Sequence, residues 1–242
     1  MHSGPNKKIE TLFAKQWICV GRTQEVQKPG DYLTCEVASE PIIIVHGNDG
    51  KIRALSNVCR HRGTILLEGS GHSNKIVCPY HHWAYDHTGQ LNSAPQMDQN
   101  ETFNQAMCRL PEFACDQWQG FLFVCLQQNP PALNESLGKL ESLIKDYHLE
   151  QMHLNYSTEE TWNVNWKCLL ENYMEGYHLS PRHRSTLNKV NPTRLCQSVP
   201  AGDRYFAYQV GFASRIAADR IGHPDLSVEQ WTRALCLHCR RP

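Results

Sequence analysis

Four side chains in two short runs constrain this chain more than any other feature of its sequence. Cys59 and His61 form a C-x-H run, and after sixteen intervening residues Cys78 and His81 form a C-x-x-H run. Each run offers one thiolate and one imidazole. The spacing therefore predicts a fold in which two loops come together and clamp one metal centre.

The mixture of ligand types within each run indicates an asymmetric iron–sulfur cluster. Thiolates suit one iron and neutral imidazoles the other, and replacing two thiolates with imidazoles removes negative charge and raises the reduction potential. The competing metal hypothesis is tetrahedral zinc, whose Cys2His2 sites normally pair like residues at short spacing. The alternative without a metal is a set of buried core cysteines and hydrogen-bonded histidines.

The residues around these four positions match a known pattern. The matching residues are Arg62-Gly63, Pro79-Tyr80, Trp83, Tyr85-Asp86, Gly89 and Leu91. Together with the two runs, they closely resemble the Rieske domain of ring-hydroxylating oxygenase α subunits, over a stretch from about Trp17 to Val124. The resemblance implies that Cys59, His61, Cys78 and His81 hold a Rieske-type 2Fe–2S cluster.

Short apolar runs broken by turn signals fill residues 17–124, which is typical of antiparallel β structure. The clearest predicted strands are β-branched or aromatic, and they lie at 42–45, 75–78 and 120–125. Pro130-Pro131 ends this pattern, and leucines at helical spacing follow it.

We therefore predict an α+β chain of two domains. Residues 1–130 are expected to form an N-terminal arm and an all-β Rieske sandwich. By the resemblance, residues 131–242 form the first part of a catalytic domain of the helix-grip type, in which a helix closes an antiparallel sheet.

A second group of candidate ligands lies beyond the predicted boundary. Residues 163–179 have apolar side chains at helical spacing and are predicted to form one buried helix that ends against Ser180-Pro181. Glu175 and His178 are three positions apart, which would place them on one face of that helix. A break at the proline can bring His183 back toward the same centre.

Alone, the pattern E-x-x-H-x-x-x-x-H is weak, because such histidine pairs are more often structural. Preceded by Asn165-Trp166-Lys167 and Glu171-Asn172, it resembles the mononuclear iron site of the same family. The resemblance implies that His178 and His183 bind Fe(II) as two members of a 2-His-1-carboxylate triad. It also implies that Glu175 links the two metals by accepting a hydrogen bond from a cluster histidine of a neighbouring subunit.

Glutamate at this position, where the family commonly has aspartate, is reminiscent of the branch that oxidises carnitine and related quaternary ammonium compounds. The third ligand of the family is an aspartate far downstream. The aspartates that follow the two histidines are Asp203, Asp219 and Asp225. None stands in a recognisable ligand segment, so each is predicted to be a surface charge.

The C-terminal residues Cys236, His238 and Cys239 lack a second run of matching spacing and are not predicted to bind a metal. We expect the catalytic domain to be C-terminally truncated, and the 242-residue form to have little or no oxygenase activity.

The other histidines and cysteines are predicted to have ordinary structural roles. Four histidines match no ligand position and are expected at the surface or in hydrogen bonds: His46, His72, His82 and His87. Seven cysteines are expected to be small apolar core residues: Cys19, Cys35, Cys108, Cys115, Cys125, Cys168 and Cys196.

Charge and hydropathy limit the possible partners. The chain has 24 basic and 24 acidic residues, so no overall charge favours nucleic acid or an anionic membrane. Its N-terminus lacks the apolar core of a signal peptide, and Ile42–Val45, the most apolar run, is too short to span a bilayer. A cytoplasmic protein is predicted.

The leading hypothesis is a Rieske oxygenase α subunit. By the resemblance, such a subunit takes electrons from a reductase or ferredoxin and uses O2 to hydroxylate or oxidatively demethylate a small organic substrate, as a homotrimer in the intact family. One alternative is a stand-alone Rieske electron-transfer protein, which needs only the first 130 residues. The other is an inactive truncated remnant.

Overall fold

The computed structural model describes residues 13–97, 99–137, 140–173, 175–199, 205–214 and 233–239. The chain divides into two compact units. The N-terminal unit comprises Met1–Leu133 and Glu150–Leu154, and the C-terminal unit comprises Asn134–Leu149 and Asn155–Pro242. The return of the chain to the N-terminal unit was not predicted from the sequence.

The N-terminal unit is built from strands β1 to β10. Their bounds are β1 Ile18–Arg22, β2 Asp31–Val37, β3 Glu40–His46, β4 Ile52–Ser56, β5 Ser70–His72, β6 Ile76–Val77, β7 Ala84–Tyr85, β8 Leu91–Ser93, β9 Glu112–Trp118 and β10 Phe121–Cys125. Single 3-10 turns lie at Phe13–Lys15, Thr23–Val26 and Gln105–Cys108. Seven strands form one sheet in the order β1-β10-β9-β4-β3-β2-β5, and β6-β7-β8 form a second. All the pairings are antiparallel, so the predicted all-β domain is confirmed.

Strand β3 contains an unbroken apolar run because both of its faces are buried. Successive side chains of a strand point to opposite faces. Ile42 and Ile44 pack into one core with residues of β10, whereas Ile43 and Val45 pack into a second core that includes Tyr85 of β7. Since both faces of β3 are covered, none of these four side chains is exposed to water.

Arg22 fastens the returning segment to the N-terminal unit. Its side chain is buried, and Nη2 donates a 2.6 Å hydrogen bond to the carbonyl oxygen of Met152. The guanidinium also lies 4.3 Å from the centre of the Phe121 ring, at the distance of a cation–π contact. A charge buried in this way is stabilised by its partners rather than by water.

Short helices and a small sheet follow the last strand of the N-terminal unit. Their bounds are α1 Leu133–Leu137, α2 Glu141–Ile144, α3 Trp166–Tyr173, α4 Leu179–Arg182, α5 Leu187–Val190, β11 Cys196–Val199, β12 Tyr205–Gly211 and β13 Arg233–Cys239. Further 3-10 turns lie at Lys145–Tyr147, Leu149–Gln151 and Thr193–Leu195. The three strands form an antiparallel sheet in the order β11-β12-β13, so the predicted α+β class is confirmed.

The single buried helix predicted over residues 163–179 is wrong. Helix α3 ends at Tyr173, has no buried residue, and leaves the Tyr173 side chain 59% exposed. The chain turns instead of continuing as a helix, because the carboxylate of Glu175 accepts hydrogen bonds from the N–H groups of Tyr177 and His178. Such side-chain acceptors compete with helical hydrogen bonds.

The prediction that seven cysteines are core residues is confirmed for the buried Cys125, and Cys35, Cys108 and Cys115 are partly buried against the two cores. It is wrong for Cys19 on β1 and Cys168 on α3, which are exposed. Cys196 is partly buried. Among the described helices, none has both the length and the apolar character that a membrane span requires.

Candidate metal centres

The first ligand loop, residues 59–64, is closed by backbone hydrogen bonds around its cysteine. The N–H of Cys59 donates to the carbonyl of Thr64 at 2.9 Å, and the carbonyl of Cys59 accepts from the N–H of Gly63 at 3.0 Å. Gly63 has φ +72°, a left-handed conformation that glycine adopts without steric cost. The loop is therefore fixed by its own backbone.

The second ligand loop, residues 78–83, repeats this arrangement. The N–H of Cys78 donates to the carbonyl of Trp83 at 2.8 Å, and the carbonyl of Cys78 accepts from the N–H of His82 at 3.1 Å. His82, at φ +58°, takes the place that Gly63 has in the first loop. The two loops thus share one backbone design, although their ligand spacings differ.

Asn57 attaches the first ligand loop to the sheet. Its side chain is buried, with Oδ1 accepting from the N–H groups of Leu66 and Leu67 at 3.2 and 2.9 Å. Its Nδ2 donates to the carbonyl of Leu67 at 2.8 Å. Sequence reasoning missed this residue, and the only signal was a polar side chain two positions before the first ligand.

The structure brings all four predicted cluster ligands together. Cys59 and Cys78 are 3% and 1% exposed, and both belong to the same buried cluster of side chains. The rings of His61 and His81 lie 4.6 Å apart and are only partly buried. The thiols thus occupy the inner side of the site and the imidazoles the outer side.

The Tyr85 hydroxyl is directed at a predicted ligand sulfur. It accepts a hydrogen bond from the N–H of Arg60 at 3.1 Å, and it lies 3.4 Å from Sγ of Cys59. Burial raises the pKa of the Cys59 thiol, and the tyrosine hydrogen bond lowers it in part. Hydrogen bonds to ligand sulfurs are one of the features that set the potential of an iron–sulfur cluster.

His61 carries an unsatisfied nitrogen that fits a metal ligand. Its Nδ1 is buried without a hydrogen-bond partner among the described residues, and its ring stacks on Trp83 at 4.7 Å with an interplanar angle of 6°. Burial, His81 and Arg62 lower the pKa of His61, which favours the neutral form that binds metals. A buried nitrogen without a partner is costly, and iron would satisfy it.

In the described part of the chain, no group of three or more His, Cys, Asp or Glu side chains is arranged to hold a metal ion.

The second predicted site is organised around Glu175. Its Oε1 lies 2.5 Å from Nδ1 of His178, and its Oε2 accepts from the N–H groups of His178 and Tyr177. An ionised carboxylate only accepts hydrogen bonds, so Nδ1 of His178 donates and Nε2 is left available. Burial alone would raise the pKa of Glu175, but these hydrogen bonds outweigh it and lower the pKa.

Helix α4 places the second histidine beside the first. His178 precedes the helix and His183 ends it, with ring centres 5.3 Å apart. The predicted helix break at Pro181 is wrong, because Pro181 lies within helix α4. The candidate aspartates Asp203, Asp219 and Asp225 lie outside the described residues, as do the side chains of Cys236, His238 and Cys239.

The four other histidines follow the prediction of surface or hydrogen-bonding roles. His82 is exposed, His72 contacts Asp31 at 3.0 Å, and His46 contacts the carbonyl of Val26 at 2.9 Å. His87 is buried, with its Nε2 2.8 Å from the carbonyl of Ser73.

Two family models match this chain, one over each candidate site. Residues 16–113 match the Rieske [2Fe-2S] domain, and residues 141–234 match the catalytic domain of the ring hydroxylating alpha subunit. The first implies a 2Fe–2S cluster, and the second is a family that uses mononuclear iron.

Individual relatives and solved structures agree with these matches. The carnitine monooxygenase oxygenase subunit of Acinetobacter baumannii is 35% identical over 84% of this chain and 55% of its own length. The glycine betaine monooxygenase oxygenase subunit of Chromohalobacter salexigens is 36% identical over 76% of this chain and 41% of its own length. The chain therefore spans about half of the length of the curated relatives that it matches.

Among solved structures, a quaternary ammonium Rieske monooxygenase superposes with a TM-score of 0.80 at 31% identity, covering 86% of this chain and 57% of the other. Naphthalene 1,2-dioxygenase, at 22% identity and a TM-score of 0.79, shares the fold over 97% of this chain and 62% of its own. With a Rieske domain followed by part of the catalytic domain, the chain belongs to the ring-hydroxylating α-subunit family of Rieske oxygenases.

Proposed function

We propose that this chain acts as the oxygenase subunit of a Rieske oxygenase that uses O2 to hydroxylate or oxidatively demethylate a quaternary ammonium compound. One observation carries the proposal: a single chain holds both the four converging cluster ligands and the paired His178 and His183. A stand-alone electron carrier has no use for the second pair, which argues against that alternative.

The geometry of the two ligand loops supports the proposal for the first centre. We assign Cys59 and Cys78 to one iron, and Nδ1 of His61 together with His81 to the other. When bound, the cluster supplies one-electron transfer. The chain's own contribution is to bury both sulfurs, to aim the Tyr85 hydroxyl at Cys59, and to hold the His61 ring by stacking.

The contact between Glu175 and His178 supports the proposal for the second centre. Oε1 of Glu175 holds the proton on Nδ1 of His178, so Nε2 is left to bind iron, and His183 is the second ligand. Carboxylate–histidine pairs of this kind fix ring orientation and raise ligand basicity. When bound, Fe(II) in a 2-His-1-carboxylate site has open positions for O2. The sequence predicts that Asp203, Asp219 and Asp225 are surface charges and that this 242-residue form has little or no activity. We propose instead that one of these three aspartates completes the triad, and the single-turnover assay below decides between the two expectations.

The substrate class is proposed from the relatives and from one residue. The two relatives described above are named for carnitine and glycine betaine, which are both quaternary ammonium compounds. Glu175 stands where the wider family commonly has aspartate. A reductase or ferredoxin is the proposed electron donor, and a cytoplasmic homotrimer the proposed assembly.

A single-turnover assay tests the proposal. Protein loaded with Fe(II) and chemically reduced is mixed with O2 and with carnitine, glycine betaine or naphthalene, and products are measured by mass spectrometry. We expect up to one product per chain from a quaternary ammonium compound, none from naphthalene, and none from His178→Ala with its cluster spectrum intact. Fully loaded, reduced protein that leaves every substrate unchanged would contradict the proposal and favour an electron carrier or inactive remnant.

A further inference from the structure

The Thr193 hydroxyl joins two segments that flank His178. Thr193 begins the 3-10 turn Thr193–Leu195, fifteen positions after the histidine in sequence. Its Oγ1 donates to the carbonyl of Gly176 at 2.8 Å and accepts from the N–H of Ser180 at 3.0 Å. Gly176 precedes His178 by two positions, and Ser180 follows it by two. The donor and the acceptor of one hydroxyl are therefore both used to hold the backbone around His178.

The Thr193 hydroxyl and the Glu175 carboxylate hold different parts of His178. Glu175 holds the imidazole of His178 through Nδ1, while Thr193 holds the peptide groups before and after the residue. The distance from His178 to His183 is then set by helix α4, in which the N–H of His183 donates to the carbonyl of Leu179 at 3.1 Å. A shift of the backbone at Gly176 or Ser180 would therefore move one histidine relative to the other.

Cys196, which lies in the same segment as Thr193, leaves no room for a side chain at Gly176. A Cβ placed on Gly176 would lie 2.4 Å from Sγ of Cys196, a separation that real Cβ atoms do not show. Gly176 is buried, and its carbonyl is the acceptor for Thr193. The segment 193–196 thus supports the turn by a hydrogen bond at one residue and by close packing at another.

We infer that Thr193 is a positioning residue for the mononuclear iron site, acting through the backbone on either side of His178. The inference rests on the proposed function, because it takes His178 and His183 as iron ligands. Residues that support metal ligands without touching the metal typically change its affinity by about 10–100-fold when they are removed. The side chain of Thr193 is itself no ligand.

The test compares the isosteric Thr193→Val, which loses the hydroxyl, with Thr193→Ser, which keeps it. Thr161→Val is the control, because Thr161 is exposed on a segment without regular structure. We expect Thr193→Val to weaken Fe(II) binding by about tenfold, and Thr193→Ser and Thr161→Val to change it by less than about threefold. Cluster absorbance serves as the internal reference and should be the same in all variants. Unchanged Fe(II) affinity in Thr193→Val, or an equal loss in Thr193→Ser, would overturn the inference.

Gly176→Ala tests the same inference without removing the Thr193 hydroxyl. The added Cβ meets Cys196, so we expect weaker Fe(II) binding, restored by the double variant Gly176→Ala with Cys196→Ala. Absence of that rescue would contradict the positioning by segment 193–196, including in the case where Thr193→Val does not fold.

Nuclear magnetic resonance of the protein without mononuclear iron separates this inference from the proposed function. The ¹⁵N shifts of His178 should show protonation at Nδ1 in the parent and in Thr193→Ser, and a mixture of tautomers in Thr193→Val. If the parent binds no iron beyond its cluster while the tautomer still responds to Thr193, the proposed function fails, but the positioning of His178 by Thr193 stands. A tautomer that is the same in all three proteins would overturn the positioning.

Discussion

The two candidate metal centres are built in different ways. The cluster ligands lie on two loops that are closed by matching backbone hydrogen bonds and whose cysteines are almost fully buried. The iron-site histidines flank one turn of helix and follow α3, which has no buried residue. The first site is therefore held by the buried core and by its own backbone hydrogen bonds. The second site is held by side-chain hydrogen bonds from Glu175 and Thr193.

The largest effect is expected from removing one ligand at each centre. Cys78→Ser should abolish the 2Fe–2S cluster, because a hydroxyl is a poor substitute for a thiolate ligand. His178→Ala should remove the mononuclear iron and leave the cluster spectrum unchanged. Iron and sulfide analysis with visible absorbance measures both variants. Loss of the cluster in His178→Ala would show that the two sites do not assemble independently.

The buried amide of Asn57 gives the next largest effect. Asn57→Ala should lower the free energy of unfolding by about 1–3 kcal/mol, since it leaves the partly buried N–H of Leu67 without its acceptor. Asn74→Ala is the matched control at an exposed position and should change stability by less than about 0.5 kcal/mol. Urea unfolding followed by tryptophan fluorescence measures both variants. Equal stabilities of Asn57→Ala and Asn74→Ala would mean that water replaces the hydrogen bonds of the Asn57 side chain.

Tyr85→Phe should change the potential of the cluster without removing it. The hydroxyl hydrogen bond stabilises the more negative, reduced state, so its loss should lower the midpoint potential by about 60 mV, which corresponds to a tenfold change for one electron. Spectroelectrochemistry of the purified protein measures this shift, with Tyr80→Phe as a control at an exposed ring. An unchanged potential in Tyr85→Phe would contradict a hydrogen bond to Cys59.

The smallest effect tests the equivalence of the two ligand loops. His82 and Gly63 have the same left-handed backbone, so Gly63→Ala, which has open space around the added Cβ, should cost about 1 kcal/mol from strain alone. His82→Val should cost a similar amount, and His82→Gly should be within about 0.5 kcal/mol of the parent. The denaturation midpoints provide the comparison. A stabilising His82→Val would show that the loops differ.

The convergence of the four candidate cluster ligands could be predicted from the sequence, because metal chemistry restricts both residue type and spacing. The mixed runs at 59–61 and 78–81 are short, so local pattern was sufficient. Asn57 could not be predicted, since its role depends on which backbone groups the folded loop places beside it. The helix over 163–179 was predicted wrongly because its spacing is helical, whereas the Glu175 carboxylate accepts backbone hydrogen bonds that turn the chain.

The most direct test is electron paramagnetic resonance of the reduced, purified protein together with iron and sulfide analysis. If Cys59, His61, Cys78 and His81 hold the cluster, the protein should contain two cluster irons and two acid-labile sulfides. Its reduced spectrum should then show the low average g-value of a mixed His/Cys cluster. A spectrum typical of an all-cysteine ferredoxin, or zinc in place of iron, would contradict this assignment.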